Sequence, residues 1–582
     1  MISYTVTTCR RLAGVIVLLS IIFLPSYGQT NPIAGTDIRP LTLSGSIGML
    51  AEAYGVSGIE GRRAPTSMQV FANTSFSLFG LRSGVNVLYS TDDSNLRQSM
   101  NRFSFNGSWR WISLGAGDVS PSFSKYSLSG VTVRGGLIEL NPGSSIISFT
   151  AGQTQRAVEP SEEFGFREPA YSRMLYGARI GYGRQEGSHF HLITVYAKDN
   201  VNSISTPSDQ ITPAENVSIT PDIGLSLFSN RIVLQSQVTV SVFTRDLRSE
   251  PIDLSDTSVP DFLTNIFTPR NSTRADYAGE ASLQLNFDPV TIRGSYERVQ
   301  PGFRSLGLGQ IRSDRESIRV QPQVQLLERR LTVGFDYSQH RNNLLGTRIS
   351  TLHRNQYGVN VRAMITRAFS IQSNFALMKH ENRPDEGVEN ASALHQDLNT
   401  SNLTITPMLT IMAGELTHSV SLSGSYQAMT DKSMRVLEGM QPGSDFDNLS
   451  TTLTYALAFQ SGLSVNVSGN YVRTETEITT NSVVGGNLGI GYGFFNQTLM
   501  VNGSAGLNQN QSETVSMGIN GNDESFFKSS NRQLVFNLNT TYRLPNGNAL
   551  RFMIRNTDSS AGGAFGQAYN ETHASLRYEH RF

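Results

Sequence analysis

The sequence predicts an all-β fold, a transmembrane antiparallel β-barrel of about 26 strands. Three observations predict it. Apolar and polar residues alternate with a period of two in segment after segment from residue 41 to the end, as in a wall with one face in lipid and the other in water. The links between those segments are tight and long in turn. Outside the N-terminal leader no uncharged apolar stretch is long enough for a spanning helix, so such a chain crosses a bilayer only as a closed barrel.

The elements follow in chain order. Met1 to Gly28 reads as a signal peptide: Arg10 and Arg11 form its basic region and Leu12 to Leu24 its apolar run. Ser26 and Gly28 are the small residues that signal peptidase reads, which puts cleavage near Gly28. Residues 29–40 are then a short periplasmic N-terminal segment, too short for a plug domain, and 41–582 are the barrel. Cys9, the single cysteine, lies in the leader, so the mature chain is expected to hold no disulfide, thiolate metal site or cysteine nucleophile.

Within the barrel, Leu331, Val333, Phe335 and Tyr337 oppose Thr332, Gly334, Asp336 and Ser338, and Val465, Val467 and Tyr471 oppose Ser464, Asn466 and Asn470. Tight links are expected at Gly80, Trp111, Pro142-Gly143, Glu186-Gly187, Ser229-Asn230, Asp288-Pro289, Glu328-Arg329, Thr366-Arg367, Ala413-Gly414, Ser461-Gly462, Asn496 and Pro545-Asn546-Gly547. Longer polar links alternate with them, at 55–67, 91–99, 120–129, 154–170, 200–217, 245–270, 301–311, 341–349, 381–395, 428–445, 478–481, 510–529 and 558–569. Tight turns on one side and long loops on the other is the arrangement of barrels with turns in the periplasm and loops outside the cell. Trp109, Trp111, Phe228, Phe287, Phe369, Phe459, Phe494, Phe495 and Tyr542 crowd the tight ends, as an interfacial aromatic girdle does.

The last strand, Thr572 to Phe582, places Ala574, Leu576, Tyr578, His580 and Phe582 on one face and His573, Ser575, Arg577, Glu579 and Arg581 on the other. Here the chain resembles the bacterial outer-membrane β-barrel proteins, whose assembly signal is a final strand of alternating apolar residues with a terminal Phe. Leu576, Tyr578 and Phe582 match that signal, and His580 departs from it. The resemblance implies an outer-membrane location, insertion by the barrel-assembly machinery, and contact with outer-membrane lipid and lipopolysaccharide.

Composition agrees with an exposed, turn-rich wall: 52 Gly, 30 Phe and 20 Tyr, with only 16% charged residues. Without Arg10 and Arg11 the net charge is −2, which gives no electrostatic case for a nucleic-acid partner.

Three segments are candidates for more than wall. Gly117 to Gly130, followed by Arg134-Gly135-Gly136, is dense in Gly, Ser and aromatics and resembles segments in large surface barrels of Bacteroidetes-type bacteria, including the translocon of their gliding and secretion machinery. It reads either as a loop that turns into the lumen, with Asp118 and Arg134 as a lumen ion pair, or as an ordinary turn. In the longest link, Pro260, Phe262, Leu263, Ile266 and Phe267 have the spacing of a short amphipathic helix, a candidate constriction or lid over the barrel mouth. Acidic residues gather in loops, as at Glu159, Glu162, Glu163 and Glu168, without the spacing of a calcium site, and read as solvated surface.

The nine His, including His189 and His191 at a tight turn, show no catalytic arrangement. No enzyme, cofactor or metal site is therefore expected. The simplest function is a transport conduit or pore for polar solutes. The alternatives are a scaffold or translocon barrel for secretion or surface display of protein partners, and a closed structural or adhesion barrel. A barrel this wide needs a plug, from inward-folded loops or an accessory protein subunit.

Overall fold

The computed structural model describes residues 41–582 apart from 92–100, 161–168, 186, 206–210, 253–266, 386, 388–394, 434–444, 518–523, 545–546 and 563–566. The leader, its cleavage point and the segment 29–40 lie outside the described residues.

Alternation becomes strand at 26 places. The first nine are β1 (Leu41–Ser57), β2 (Thr66–Leu78), β3 (Leu81–Ser90), β4 (Arg102–Trp109), β5 (Ile112–Val119), β6 (Val133–Leu140), β7 (Ser145–Gln155), β8 (Arg173–Gly183) and β9 (His189–Asp199). Then come β10 (Glu215–Leu227), β11 (Ile232–Thr244), β12 (Thr273–Phe287), β13 (Val290–Val299), β14 (Arg315–Leu326), β15 (Leu331–Arg341), β16 (Ser350–Met364), β17 (Phe369–Pro384) and β18 (Gln396–Ala413). The last are β19 (Leu416–Asp431), β20 (Phe446–Phe459), β21 (Ser464–Thr476), β22 (Thr479–Phe494), β23 (Leu499–Met517), β24 (Glu524–Arg543), β25 (Asn548–Gly562) and β26 (Tyr569–Arg581). Each strand pairs antiparallel with the next, and β26 pairs with β1 from Ser46↔Arg581 to Ser57↔Asn570, so the sheet is a closed barrel. The expected fold class and strand number are those observed.

Closure ends on the terminal residue. The Gly45 N–H donates to the Phe582 carbonyl at 3.0 Å and the Phe582 N–H donates to the Gly45 carbonyl at 3.1 Å. A Cβ on Gly45 would lie 3.1 Å from the Phe582 ring, so the glycine leaves room for the aromatic beside it. Leu576 and Tyr578 are exposed on the outer face and Glu579 is buried on the inner one. Ion pairs from Arg577 and Arg581 hold Glu579 there.

The outer face carries exposed large apolar residues along the whole circumference, among them Phe149, Tyr176, Ile219, Phe335, Leu453 and Phe536. No water-soluble surface displays an apolar belt of that extent; it is the surface a bilayer covers.

The expected tight links fall between paired strands, except that Ala413 ends β18 and that Glu186, Pro545 and Asn546 lie outside the described residues; three of the links bend in the same way. Phe228-Ser229-Asn230, Leu327-Glu328-Arg329 and Phe495-Asn496-Gln497 each put three successive non-glycine residues at positive φ, between 52° and 68°. Several long links are shorter than expected, among them those before β2, β22, β24 and β26. β21 and β22 are joined by residues 477–478 alone, so strict alternation of tight and long fails there. β23 reaches Met517 and β24 begins at Glu524, because polar residues on both faces of 508–514 hide a strand that continues past the apolar belt.

Replacing Phe582 by Ala, or deleting it, is expected to reduce the heat-modifiable, membrane-inserted form at least about tenfold, because the ring at the seam is lost and, on deletion, its two ladder bonds as well; wild-type insertion would contradict the seam's role. A tag after Gly346, in the β15–β16 link, is expected to be reached by antibody on intact cells and one after Gly462 is not; the opposite pattern would invert the topology.

Candidate functional site

Strand alternation has one marked exception. On β8 and β9 both faces are apolar: Tyr176, Ile180 and Leu192 are exposed outside, while Leu175, Ile193, Val195 and Ala197, facing inward, are fully buried. Apolar side chains facing a water-filled lumen need a cover. Two links of the long-link end supply it.

The β5–β6 link, 120–132, folds into the barrel. Its Phe123, Leu128 and Val131 join Val119 and Val133 at the strand ends and Leu175, Ile193, Val195 and Ala197 on the wall in one buried cluster. The second link, 300–314 between β13 and β14, folds in beside it. Phe303 packs with Tyr126 of the first link and with Ala278 and Val299 of the wall. Backbone bonds tie the links together: the Ser129 N–H donates to Gly307 O at 3.0 Å, and the Gly309 N–H to Ser129 O at 3.3 Å. The Ser305 hydroxyl donates to Ser127 O at 2.9 Å. A Cβ on Gly307 would stand 2.3 Å from that same carbonyl, so only glycine permits the approach.

Polar anchors join this plug to the adjoining strands of the wall, β10 to β13. Gln237 of β11 accepts from the Ser124 hydroxyl at 3.0 Å and the Lys125 N–H at 3.1 Å. The Tyr126 hydroxyl donates to Glu297 of β13 at 2.8 Å and to Glu280 of β12 at 3.2 Å. The Lys125 ammonium pairs with both carboxylates, at 3.0 Å from Glu297. Asn216 of β10 accepts from the Leu306 N–H at 3.2 Å. Burial works to lower the Lys125 pKa, but hydrogen bonds to Glu280 and Glu297, with their charge, outweigh it and raise it. The Tyr126 hydroxyl is pushed far up, first by burial and then by the same carboxylates.

The rest of the inner wall is different. From β16 to β24 no described non-glycine residue is buried. The inward positions there are dominated by neutral polar groups, such as Asn466, Asn470, Asn487, Asn502, Asn508 and Asn537. Gln323, Thr332, Asn360, Arg362, Gln372 and Asn374 line an inner recess of about 490 Å³. The lumen is filled along one arc and polar along the other.

The dense segment 117–136 does turn inward, but the ion pair is not in the lumen. Arg134 Nε donates to Asp118 at 2.8 Å. Val119 and Val133, the next residues on the same strands, belong to the buried inner cluster, so Asp118 and Arg134 face outward at the rim, where Asp118 also accepts from the Phe103 N–H at 2.9 Å. Of the expected lid, Pro260, Phe262, Leu263 and Ile266 lie outside the described residues. Phe267 is buried, and lines an apolar cavity of about 1000 Å³ with the outward-facing Tyr176, Tyr196, Ile219 and Val242. Phe267 therefore packs on the outer side of the wall and does not constrict the lumen. The constriction comes from residues around Phe303, which the sequence reading treated as ordinary loop. His189 and His191, set aside for want of a partner, meet Asp222 of the neighbouring strand on the inner face.

No protein-family model matches the chain, and no curated protein matches its sequence. In fold it is similar to solved outer-membrane barrels. The translocation pore of the P pilus usher PapC is 10% identical, over 93% of this chain and 99% of that one, with a TM-score of 0.31. FpvAI, in its complex with pyocin S2, is 8% identical over 92% and 70%, at 0.38. OccAB2 of Acinetobacter baumannii is 10% identical over 64% and 92%, at 0.29. Likeness of that degree carries no activity across to this chain.

Replacing Tyr126 by Ala is expected to weaken docking of the β5–β6 link by about 3–5 kcal/mol, the cost of removing a buried aromatic. Hydrogen exchange of the link amides reads the change, and unaltered protection would place the link elsewhere. Because the Lys125 pKa is raised, its contribution is complete below the unfolded value and is lost only as pH rises through the higher folded one. Cleavage by trypsin at Lys125 in the inserted protein is therefore expected to stay equally slow from roughly pH 7 to pH 9.

Proposed function

We propose that this chain is an outer-membrane channel for polar solutes, permeable along the arc of lumen that its two inward-folded links leave uncovered. The observation that carries the reading is the division of the inner face. The inward side chains that are buried, among them Thr150, Leu175, Ile193, Val195, Ala197, Ser218, Thr239 and Ser241, gather on β7 to β11 beside the links, whereas from β16 to β24 the inward side chains are mostly polar and no described non-glycine residue is buried. Asn, Ser, Thr and Gln side chains both donate and accept hydrogen bonds, so this arc can replace the water around a neutral polar solute without charging the path. The outer-membrane location rests on the apolar belt and on the final strand with Leu576, Tyr578 and Phe582; lipopolysaccharide and the barrel-assembly machinery are the partners that location brings.

Single-channel recording in planar bilayers tests the proposal. The wild type is expected to give small, stable conductance steps, and removal of Ser122–Gly130 together with Gly302–Gln310 is expected to raise them several-fold. Silence in both proteins would establish a closed structural barrel. Silence in the wild type, with a stoichiometric protein companion on purification, would establish the scaffold reading instead.

A further inference from the structure

On the inner face, toward the short-turn end and below the buried Ile193, two imidazoles and a carboxylate converge. We propose that His189, His191 and Asp222 form a binding site for one divalent transition-metal cation of the zinc and copper type. The inference does not depend on whether the barrel conducts.

The hydrogen bonds of the rings decide which nitrogens are free to bind. His189 Nδ1 lies 2.9 Å from the Gly187 carbonyl, and His191 Nε2 lies 3.1 Å from the Gly183 carbonyl. A carbonyl only accepts, so each of these nitrogens carries the proton and donates it. In the neutral rings the lone pairs then lie on His189 Nε2 and His191 Nδ1. Each of these nitrogens lies 3.5 Å from Asp222 Oδ2. Neither nitrogen has a hydrogen-bond partner, and both are buried. The His side chains are 2% and 0% exposed and that of Asp222 is 10%.

Two lone pairs beside a carboxylate oxygen are mutually repulsive in a site that water does not reach. A cation between them turns the repulsion into three ligand bonds. With metal–ligand bonds of about 2.0–2.1 Å, a separation near 3.5 Å corresponds to ligands meeting at an angle not far from tetrahedral. Two imidazoles and one carboxylate are a zinc-type donor set with a fourth position left for water or a passing ligand. The carbonyl bonds to the far nitrogens are the outer contacts that orient histidine ligands in metal sites. Charge permits a cation as well. The neighbouring Arg179 is paired with Glu139 at 3.1 Å, so that guanidinium does not cancel the Asp222 carboxylate.

The sheet is shaped around the rings. His191 stands between Gly181 and Asp222 in register, and His189 between Gly183 and Gly224. A Cβ at Gly224 would approach His189 Cε1 to 2.3 Å, and one at Gly181 would approach His191 Cδ2 to 2.5 Å. The rings stack at 4.6 Å between centroids in the space those glycines leave.

The test uses the full folded barrel in detergent, stripped with a chelator and titrated with Zn²⁺ by calorimetry. One equivalent is expected to bind, and His189→Gln, His191→Gln and Asp222→Asn are each expected to weaken binding at least about tenfold. His418→Gln, on the outer face and bonded to Tyr455, is expected to leave it unchanged. Paramagnetic resonance of the wild type with one equivalent of Cu²⁺ needs no variant, and is expected to show hyperfine coupling from two imidazole nitrogens. Absence of saturable binding would overturn the proposal and leave a proton, shared between imidazole and carboxylate, as what relieves the repulsion. Binding that all three variants retain, or a Cu²⁺ spectrum without two nitrogen ligands, would overturn it too.

Discussion

Inside a bilayer an unpaired backbone N–H or C=O has no water to turn to, and the rest of this structure depends on how the chain meets that constraint. Every strand is paired on both sides, and the seam between β1 and β26 is closed as far as Phe582 and Gly45. Closure makes the period of two compulsory along the wall, because each residue faces either lipid or lumen. It also sets the next problem. A wall of 26 strands encloses more space than its own inward side chains fill.

The chain answers with its own links on one arc and with polar side chains on the other. Leu175, Ile193, Val195 and Ala197 are apolar on the inner face, which is tenable only because Phe123, Leu128 and Leu306 lie on them. The plug is anchored by charge as well as by apolar contact: Lys125 and Tyr126 reach across to Glu280 and Glu297 on strands distant in sequence. The 120–132 and 300–314 links bond to each other through Ser129 and Gly307, so neither is a separate flap. The outcome is a lumen with a built-in partition.

Much of this was legible in the residues. Strand number, the twelve tight turns and the side of each face follow from alternation and turn chemistry, which are local. The inward turn of 117–136 was legible as one of two readings, from its density of Gly, Ser and aromatics. What failed was non-local. Asp118 and Arg134 are adjacent in register, as their charges indicated, yet the face they occupy is fixed by Val119 and Val133, whose burial depends on a link packing over them. Phe303, Leu306 and Leu308 have no period, so nothing local marks them as plug; the available signal lay in β9, where Phe190 and Leu192 alternate with Ile193 and Val195 and both faces are apolar. Asp222 joins His189 and His191 only through the pairing of β9 with β10, a register that spacing along the chain does not reveal.

The central claim is that the β5–β6 link lies inside the barrel against β11. Ser124 and Gln237, whose side chains are 3.0 Å apart, are the most direct place to test it. With Cys9 also replaced, cysteines at positions 124 and 237 are expected to be joined by a short bifunctional thiol cross-linker in the membrane-inserted protein and to be unreactive toward bulky polar thiol reagents added outside the cell. Two free thiols, with the one at position 124 labelled from outside, would contradict the account.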